Sequence, residues 1–233
     1  FNTNGWQSHG LTGTGILDFN YMFPRKLDPA VAPISTAIGV LGMLGLTAYS
    51  GLVVQCQPKE GETVVVSAAS GGVGQAAGQM AKILGCRVVG IAGRDEKCSF
   101  VTGELGFDAC VSHLSEDLNG DLAEACPDGI DIYFENVGGK SFEAVLLLLN
   151  MNSRITRCGL VSQYGTMGNR DAAEVWMEVG QPVFDKKNCG VHPLAVGNFV
   201  ADHQDAFLAQ MADWLRDDRV KYLEDVRLGL ENT

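Results

Sequence analysis

From about residue 57 onward the apolar positions fall into short runs separated by stretches of helical period. Thr63-Val-Val-Val-Ser-Ala-Ala69 is nearly continuous in its apolar character, as a strand covered on both faces of a parallel sheet should be. Ser70-Gly-Gly-Val-Gly74 then opens a helix of small residues that ends at Gly85. Further strands are expected at Arg87–Ala92, Asp108–Val111, Asp131–Glu135 and Arg154–Cys158. Helices are expected from Asp95 to Glu104, Glu116 to Ala125 and Phe142 to Leu149. Val191–Val196 reads as a sixth strand. Phe207, Leu208, Met211, Trp214 and Leu215 recur at helical spacing, so Asp202–Leu215 reads as a surface helix packed on the sheet. The alternation of strand and helix predicts an α/β fold built on a doubly wound parallel sheet.

Residues 1–33 carry neither period. They hold an aromatic patch (Phe19, Tyr21, Phe23) and prolines at 24, 29 and 33, and they read as a piece of something larger. Residues 35–55 are apolar but interrupted by glycines at 39, 42, 45 and 51, which suits a closely packed, broken helix bridging into the regular unit. The expected organisation is therefore a remnant of another domain over 1–33 and a nucleotide-type domain over 34–233. Apolar residues at 46% and charged residues at 19% suffice for a core and exclude a disordered polyelectrolyte. The net charge of −11 disfavours nucleic acid and anionic membranes, so an anionic ligand must be held by a local device. Cys56, Cys86, Cys98, Cys110, Cys126, Cys158 and Cys189 are scattered and include no C-x-x-C pair, which argues for a reducing compartment and against a metal site. No basic-then-apolar leader opens at Phe1, and no apolar stretch approaches a membrane span of about 20 residues, so a soluble, cytoplasmic protein is expected.

Ala69-x-Gly71-x-x-Gly74 follows a strand and opens a helix, the context in which small residues let the backbone approach a pyrophosphate while free N–H groups hold its charge. Gly71, Gly72, Val73 and Gly74 are the candidate cradle; the plain alternative is a glycine turn. An NAD site would place Asp or Glu at the end of the second strand. Here that strand ends in Ile91-Ala-Gly-Arg-Asp-Glu-Lys97, where Gly93 leaves room and Arg94 and Lys97 can pair with a 2′-phosphate, so NADP(H) is the favoured cofactor. Asp95 and Glu96 partly compensate those cations at the helix start.

The sequence resembles the zinc-independent branch of the medium-chain dehydrogenase/reductases, within it the leukotriene 12-hydroxydehydrogenase/prostaglandin reductase and alkenal double-bond reductase group. The carrying motifs are Gly5-Trp-Gln-Ser-His9, Leu41-Gly-Met-Leu-Gly-Leu-Thr-Ala-Tyr49, Ala68-Ala-Ser-Gly-Gly-Val-Gly74, Phe134-Glu-Asn-Val-Gly-Gly139, Cys158-Gly-Leu-Val-Ser-Gln-Tyr164 and Gly229-Leu-Glu-Asn-Thr233, in the family's order. The resemblance implies a Rossmann cofactor domain, a GroES-like substrate domain represented by residues 1–33, and NADPH-dependent reduction of a carbon–carbon double bond conjugated to a carbonyl. It implies that Gly71, Gly72 and Gly74 hold the pyrophosphate and Lys97 the 2′-phosphate. Asn136 and the loop Cys158, Gly159, Leu160, Ser162, Tyr164 would hold the nicotinamide half. Met43 and Thr47 would lie near the nicotinamide ring, and Leu194, Ala195 and Val196 would cover it. Tyr164 would face the substrate carbonyl as the catalytic donor. His113 stands where the family commonly has a tyrosine near the adenine ribose, Leu44 where proline is usual, and Gly165 where asparagine often follows the tyrosine. Members of the group also extend before the region matching Phe1 and after Thr233, so the chain reads as a fragment. A homodimer joined through cofactor-domain edge strands is expected by the same analogy.

Chemistry read from the residues agrees in part. Asn136 and Tyr164 follow the expected fourth and fifth strands, so both fall at the carboxyl end of a parallel sheet, where such folds bind ligands. A hydroxyl aimed at a carbonyl oxygen stabilises the negative charge that hydride addition puts there. Alternatives stay open: Tyr164 as a packed surface aromatic, Asn136 as a turn former, a quinone as substrate, or a cofactor-binding module without catalysis. His9, His192 and His203 lack partners at ligand spacing, and Cys158 reads as a packing residue.

Overall fold

The computed structural model describes residues 26–164 and 171–232, so most of the expected remnant domain lies outside the described residues. The bridge is broken, as its glycines suggest. A 3-10 turn at Ile34–Ile38 is followed by α1 (Met43–Tyr49), which runs directly into a π-helical turn at Ser50–Cys56. Then come β1 (Thr63–Ser67), α2 (Gly72–Ile83), β2 (Arg87–Ala92), α3 (Asp95–Gly103) and β3 (Ala109–Ser112). The second half contains α4 (Leu118–Ala125), β4 (Ile130–Glu135), α5 (Gly139–Leu148), β5 (Leu149–Arg157), α6 (Ala172–Lys187), β6 (Gly190–Pro193) and α7 (Val200–Arg216).

The six strands form one parallel sheet in the order β3-β2-β1-β4-β5-β6. Both faces are covered, which explains the nearly unbroken apolar strands. Val64 and Val66 of β1 join the core beneath α1, α2 and α7, whereas Val65, between them, joins the core beneath α4, α5 and α6. This is the doubly wound Rossmann arrangement, and its winding reverses between β1 and β4. At that reversal the loops leaving neighbouring strands part and open a crevice at the carboxyl edge.

The structure departs from the sequence reading in places. β1 stops at Ser67, because Ala68 takes a positive φ of 49° and turns the chain. β5 starts at Leu149, earlier than its apolar pattern suggests, with a register irregularity opposite Ile130 and Ile132. β6 ends at Pro193, so Leu194 and Ala195 leave the sheet and a 3-10 turn follows at Val196–Phe199. α6 was not anticipated: Pro182 and Gly180 interrupt its text, and it is held instead by Trp176, which stacks on Phe142 of α5 with ring centroids 4.4 Å apart. Among the described residues no helix is long and apolar enough to cross a membrane.

Candidate functional site

Every site residue anticipated after a strand lies on the carboxyl edge of the sheet. Gly71–Gly74 follow β1, Arg94 and Lys97 follow β2, His113 follows β3 and Asn136 follows β4. Cys158, Gly159, Leu160, Ser162 and Tyr164 follow β5, and Leu194–Val196 follow β6. Met43 and Thr47 arrive from α1, whose Leu44 packs against the start of α2: a Cβ at Gly72 would lie 2.6 Å from Leu44 Cδ1. Met43 is partly exposed, while Thr47 is buried and donates its hydroxyl to the Met43 carbonyl at 2.6 Å.

The turn between β1 and α2 is shaped to receive an anion. Gly71 donates its N–H to the Ala68 carbonyl at 2.9 Å, closing the turn, and Gly71 caps α2 without a side-chain hydrogen bond. The N–H groups of Gly72, Val73 and Gly74 open the helix and have no partner within it. The first turn contains no acidic residue. A Cβ at Gly74 would lie 2.3 Å from the Ala68 oxygen, so the turn can pack this tightly on the helix only with glycine there. Bare N–H groups, a favourable helix end and no side chain across the mouth fit a diphosphate.

At the end of β2, Arg94 and Lys97 are exposed and make no ion pair among the described residues. A Cβ at Gly93 would lie 3.5 Å from His113 Nε2 and 3.9 Å from Lys97 Cδ, so His113 and Lys97 flank the gap that glycine leaves. Lys97 and His113 thus meet at one end of the edge, with Arg94 at the cap of the same helix, on a chain whose net charge is −11. That is the local device an anionic ligand would need here.

The other end is organised by Glu135, a residue the sequence reading passed over. It is fully buried at the end of β4. Its Oε1 accepts from the Tyr133 hydroxyl at 2.9 Å, Ser67 Oγ at 3.1 Å, and the N–H groups of Val137 and Gly138 at 2.7 and 3.0 Å. Its Oε2 accepts from Trp176 Nε1 at 3.1 Å. Ser67 Oγ also accepts the Asn136 N–H at 2.8 Å, and Asn136 Nδ2 donates to the Ser67 carbonyl at 2.7 Å. Glu135 therefore ties the ends of β1 and β4 together and fixes Asn136 between them. The signal in the sequence was an acid ending an otherwise apolar strand, Ile-Asp-Ile-Tyr-Phe-Glu135.

The loop after β5 is fastened to this framework. Cys158 and Gly159 donate their N–H groups to the Glu135 carbonyl, and Ser162 donates its hydroxyl to the Val137 carbonyl at 2.6 Å. Burial, with the Glu135 charge adding, pushes the Cys158 thiol up to about 11, which agrees with packing rather than nucleophilic chemistry. Tyr164 is 64% exposed, and its hydroxyl oxygen accepts the Leu160 N–H at 3.2 Å. Its own O–H therefore remains available to donate. Leu160 and Tyr164 share a cleft with Leu194. Gly165 lies outside the described residues. A separate cavity of about 800 Å³ between α3, α7 and residues 218–223 contains none of the anticipated site residues. Among the described residues, no group of three or more His, Cys, Asp or Glu could hold a metal ion.

The strand order and the glycine turn define a Rossmann-type domain of the kind that holds dinucleotides. Residues 72–179 match the family model described as zinc-binding dehydrogenase. The chain is 43% identical over 229 residues to the NADPH-dependent curcumin reductase of Escherichia coli, covering 98% of this chain and 64% of that one. It is 38% identical over 232 residues to the NADP(+)-dependent 2-alkenal reductase of Nicotiana tabacum, covering 98% and 63%. Among solved structures, CurA from Vibrio vulnificus in complex with NADPH matches at 45% identity with a TM-score of 0.79, over 85% of this chain and 58% of that one. The chain belongs to the medium-chain dehydrogenase/reductase family, in its zinc-independent group. It spans less than two thirds of the length of these relatives.

Proposed function

We propose that the chain is the cofactor-binding part of an NADPH-dependent reductase that saturates the carbon–carbon double bond of α,β-unsaturated ketones and aldehydes. The observation that carries this reading is the carboxyl edge itself, with a bare diphosphate cradle at Gly71–Gly74, exposed cations at Arg94 and Lys97, and a hydroxyl donor at Tyr164. Relatives at 36–43% identity whose names are curcumin, alkenal, prostaglandin and pulegone reductases support the substrate class.

Bound NADPH supplies the hydride; the remaining work falls to this chain's residues. The N–H groups of Gly72, Val73 and Gly74 hold the pyrophosphate, and Arg94 and Lys97, with His113 beside them, hold the 2′-phosphate. Asn136, Cys158, Gly159, Leu160 and Ser162 form the floor of the nicotinamide end, Met43 and Thr47 border it, and Leu194, Ala195 and Val196 cover it. Hydride addition at the β-carbon drives negative charge onto the substrate carbonyl oxygen. Tyr164 donates its free O–H there, a contact that strengthens as the charge develops. Residues 1–33 are read as part of the substrate domain and 34–233 as the cofactor domain. β6, at the sheet edge, is the strand through which two copies would pair.

Steady-state NADPH oxidation with a conjugated enal, a conjugated enone and a naphthoquinone, beside direct NADPH and NADH binding, tests the reading. Turnover of enal and enone with NADPH is expected, and Tyr164→Phe should lower kcat more than it changes NADPH affinity. Turnover of the quinone alone would overturn the substrate class. Equal NADPH and NADH affinity, or an NADPH preference that survives Arg94→Ala with Lys97→Ala, would overturn the cofactor assignment.

A further inference from the structure

Cys110 lies in β3 in register with Gly90 of β2. A Cβ at Gly90 would lie 3.2 Å from Cys110 Sγ and 2.9 Å from Val101 Cγ1 of α3, so the thiol occupies the side of the sheet that α3 covers. Cys98 lies one turn into α3, its N–H bonded to the Arg94 carbonyl at 3.0 Å. The two thiols are neighbours across this helix–sheet contact. Burial, together with a hydrogen bond to Cys98, pushes the Cys110 thiol above its ordinary range. Both cysteines are free and half-buried, and both line the cleft that Gly93, Arg94 and Ser112 also line. Cys56, Cys86 and Cys126, by contrast, are buried.

We propose that Cys98 and Cys110 are an oxidative modification site, closing to a disulfide that weakens binding of a 2′-phosphorylated dinucleotide at the adjacent Arg94 and Lys97. The coupling rests on the cofactor assignment above; the disulfide itself does not. With hydrogen peroxide as oxidant, the Cys98 thiolate attacks one peroxide oxygen, the O–O bond breaks and water leaves, giving the sulfenic acid. The Cys110 sulfur then attacks the Cys98 sulfur, the S–S bond forms, the S–O bond breaks and a second water leaves. Each sulfur gives up one electron, the peroxide takes up two, and both thiol protons end in water. Cys110 gives up its proton to the departing hydroxide as it attacks, and its burial, which disfavours the thiolate, slows this second step.

An S–S bond of about 2.05 Å is shorter than any non-bonded sulfur contact, so closure must draw the first turn of α3 toward β3. That turn carries Arg94, Lys97 and Cys98 together. Its movement shifts Lys97 relative to His113, the two side chains that flank the gap at Gly93.

The test treats the reduced protein with hydrogen peroxide, blocks remaining thiols, and maps peptides without reduction, alongside NADPH titration. The expected result is a Cys98–Cys110 linked peptide with loss of two of the seven thiols, and NADPH affinity about tenfold weaker, as for loss of one charge-assisted contact. Dithiothreitol should restore affinity, and Cys98→Ser and Cys110→Ser should each abolish the peroxide response. A different cysteine pair, or none, overturns the site. A Cys98–Cys110 disulfide with unchanged NADPH affinity overturns the coupling. Failure of the reduced protein to bind NADPH overturns the cofactor assignment and the coupling with it, while the peptide map still decides the disulfide.

Discussion

Replacing Gly74 by alanine puts one methyl group where the β1–α2 turn is tightest. The new Cβ would lie 2.3 Å from the Ala68 oxygen and 3.0 Å from both the Ala68 carbonyl carbon and Ala69 Cα. Ordinary contact needs more than 3 Å to that oxygen, so turn and helix must separate by about 1 Å. The turn yields poorly, because Ala68 already sits at φ 49° and its carbonyl is engaged by Gly71 N–H. Overpacking of this kind costs about 1–3 kcal/mol, offset by about 1 kcal/mol of alanine's helix propensity, so stability should fall by no more than about 2 kcal/mol. Binding should suffer more. A displaced cradle forfeits at least one hydrogen bond to a charged phosphate, worth about 1.5–3 kcal/mol, or roughly 10- to 100-fold in Kd. Gly72→Ala is the matched control. Its Cβ meets only Leu44, at 2.6 Å from the flexible Cδ1 tip, so the side chain can move aside and affinity should stay within about threefold. NADPH titration by fluorescence, with thermal unfolding of the same samples, separates the two effects. A folded Gly74→Ala protein that binds NADPH as tightly as the parent, or a Gly72→Ala protein that binds more weakly than Gly74→Ala, would refute the reasoning.

Glu135→Gln should be the more damaging change to stability: an amide NH₂ replaces one acceptor, leaving a buried donor such as Trp176 Nε1 unpaired. A loss of about 2–4 kcal/mol, seen as a Tm drop of about 5–15 °C, is expected, and a Tm within about 2 °C of the parent would show that the network is dispensable. Asp108 addresses acid stability. Burial alone would raise its pKa, but hydrogen bonds from Lys82 and the Val88 N–H, with the Lys82 and Arg87 charges, outweigh burial and hold it below the ordinary value. A lowered folded-state pKa contributes stability above the unfolded value of about 3.9 and loses it as pH falls further. Asp108→Asn should therefore be less stable at neutral pH and lose less on acidification below about pH 4. Denaturant unfolding at both pH values measures this, and parallel pH dependence in both proteins would refute it.

The periodicity recorded most of the scaffold. Nearly continuous apolar strands alternating with amphipathic or small-residue helices are the signature of a parallel sheet buried on both faces, while the order β3-β2-β1-β4-β5-β6 was set by the tertiary structure, since more than one order satisfies that alternation. The position of the candidate site residues was legible to the same degree. Phosphate cradles and strand-end loops are local devices, so Gly71–Gly74, Arg94, Asn136 and Tyr164 fall at the expected edge once the strands are placed.

What stayed hidden depends on contacts between distant segments. α6 forms around Gly180 and Pro182 because Trp176 and Phe184 find Phe142 on α5, and no pattern within residues 172–187 announces that partner. Glu135 reads as a charge at a strand end, yet it becomes the junction of β1, β4 and α6 through hydrogen bonds to Ser67 and Trp176. Cys98 and Cys110 looked scattered until α3 was laid over β3. The sequence determined by itself which positions are buried and where the backbone can turn, since both are local properties of side-chain polarity and backbone freedom. Only the tertiary structure decided which buried groups meet, because that depends on the packing of helices on the sheet and not on spacing along the chain.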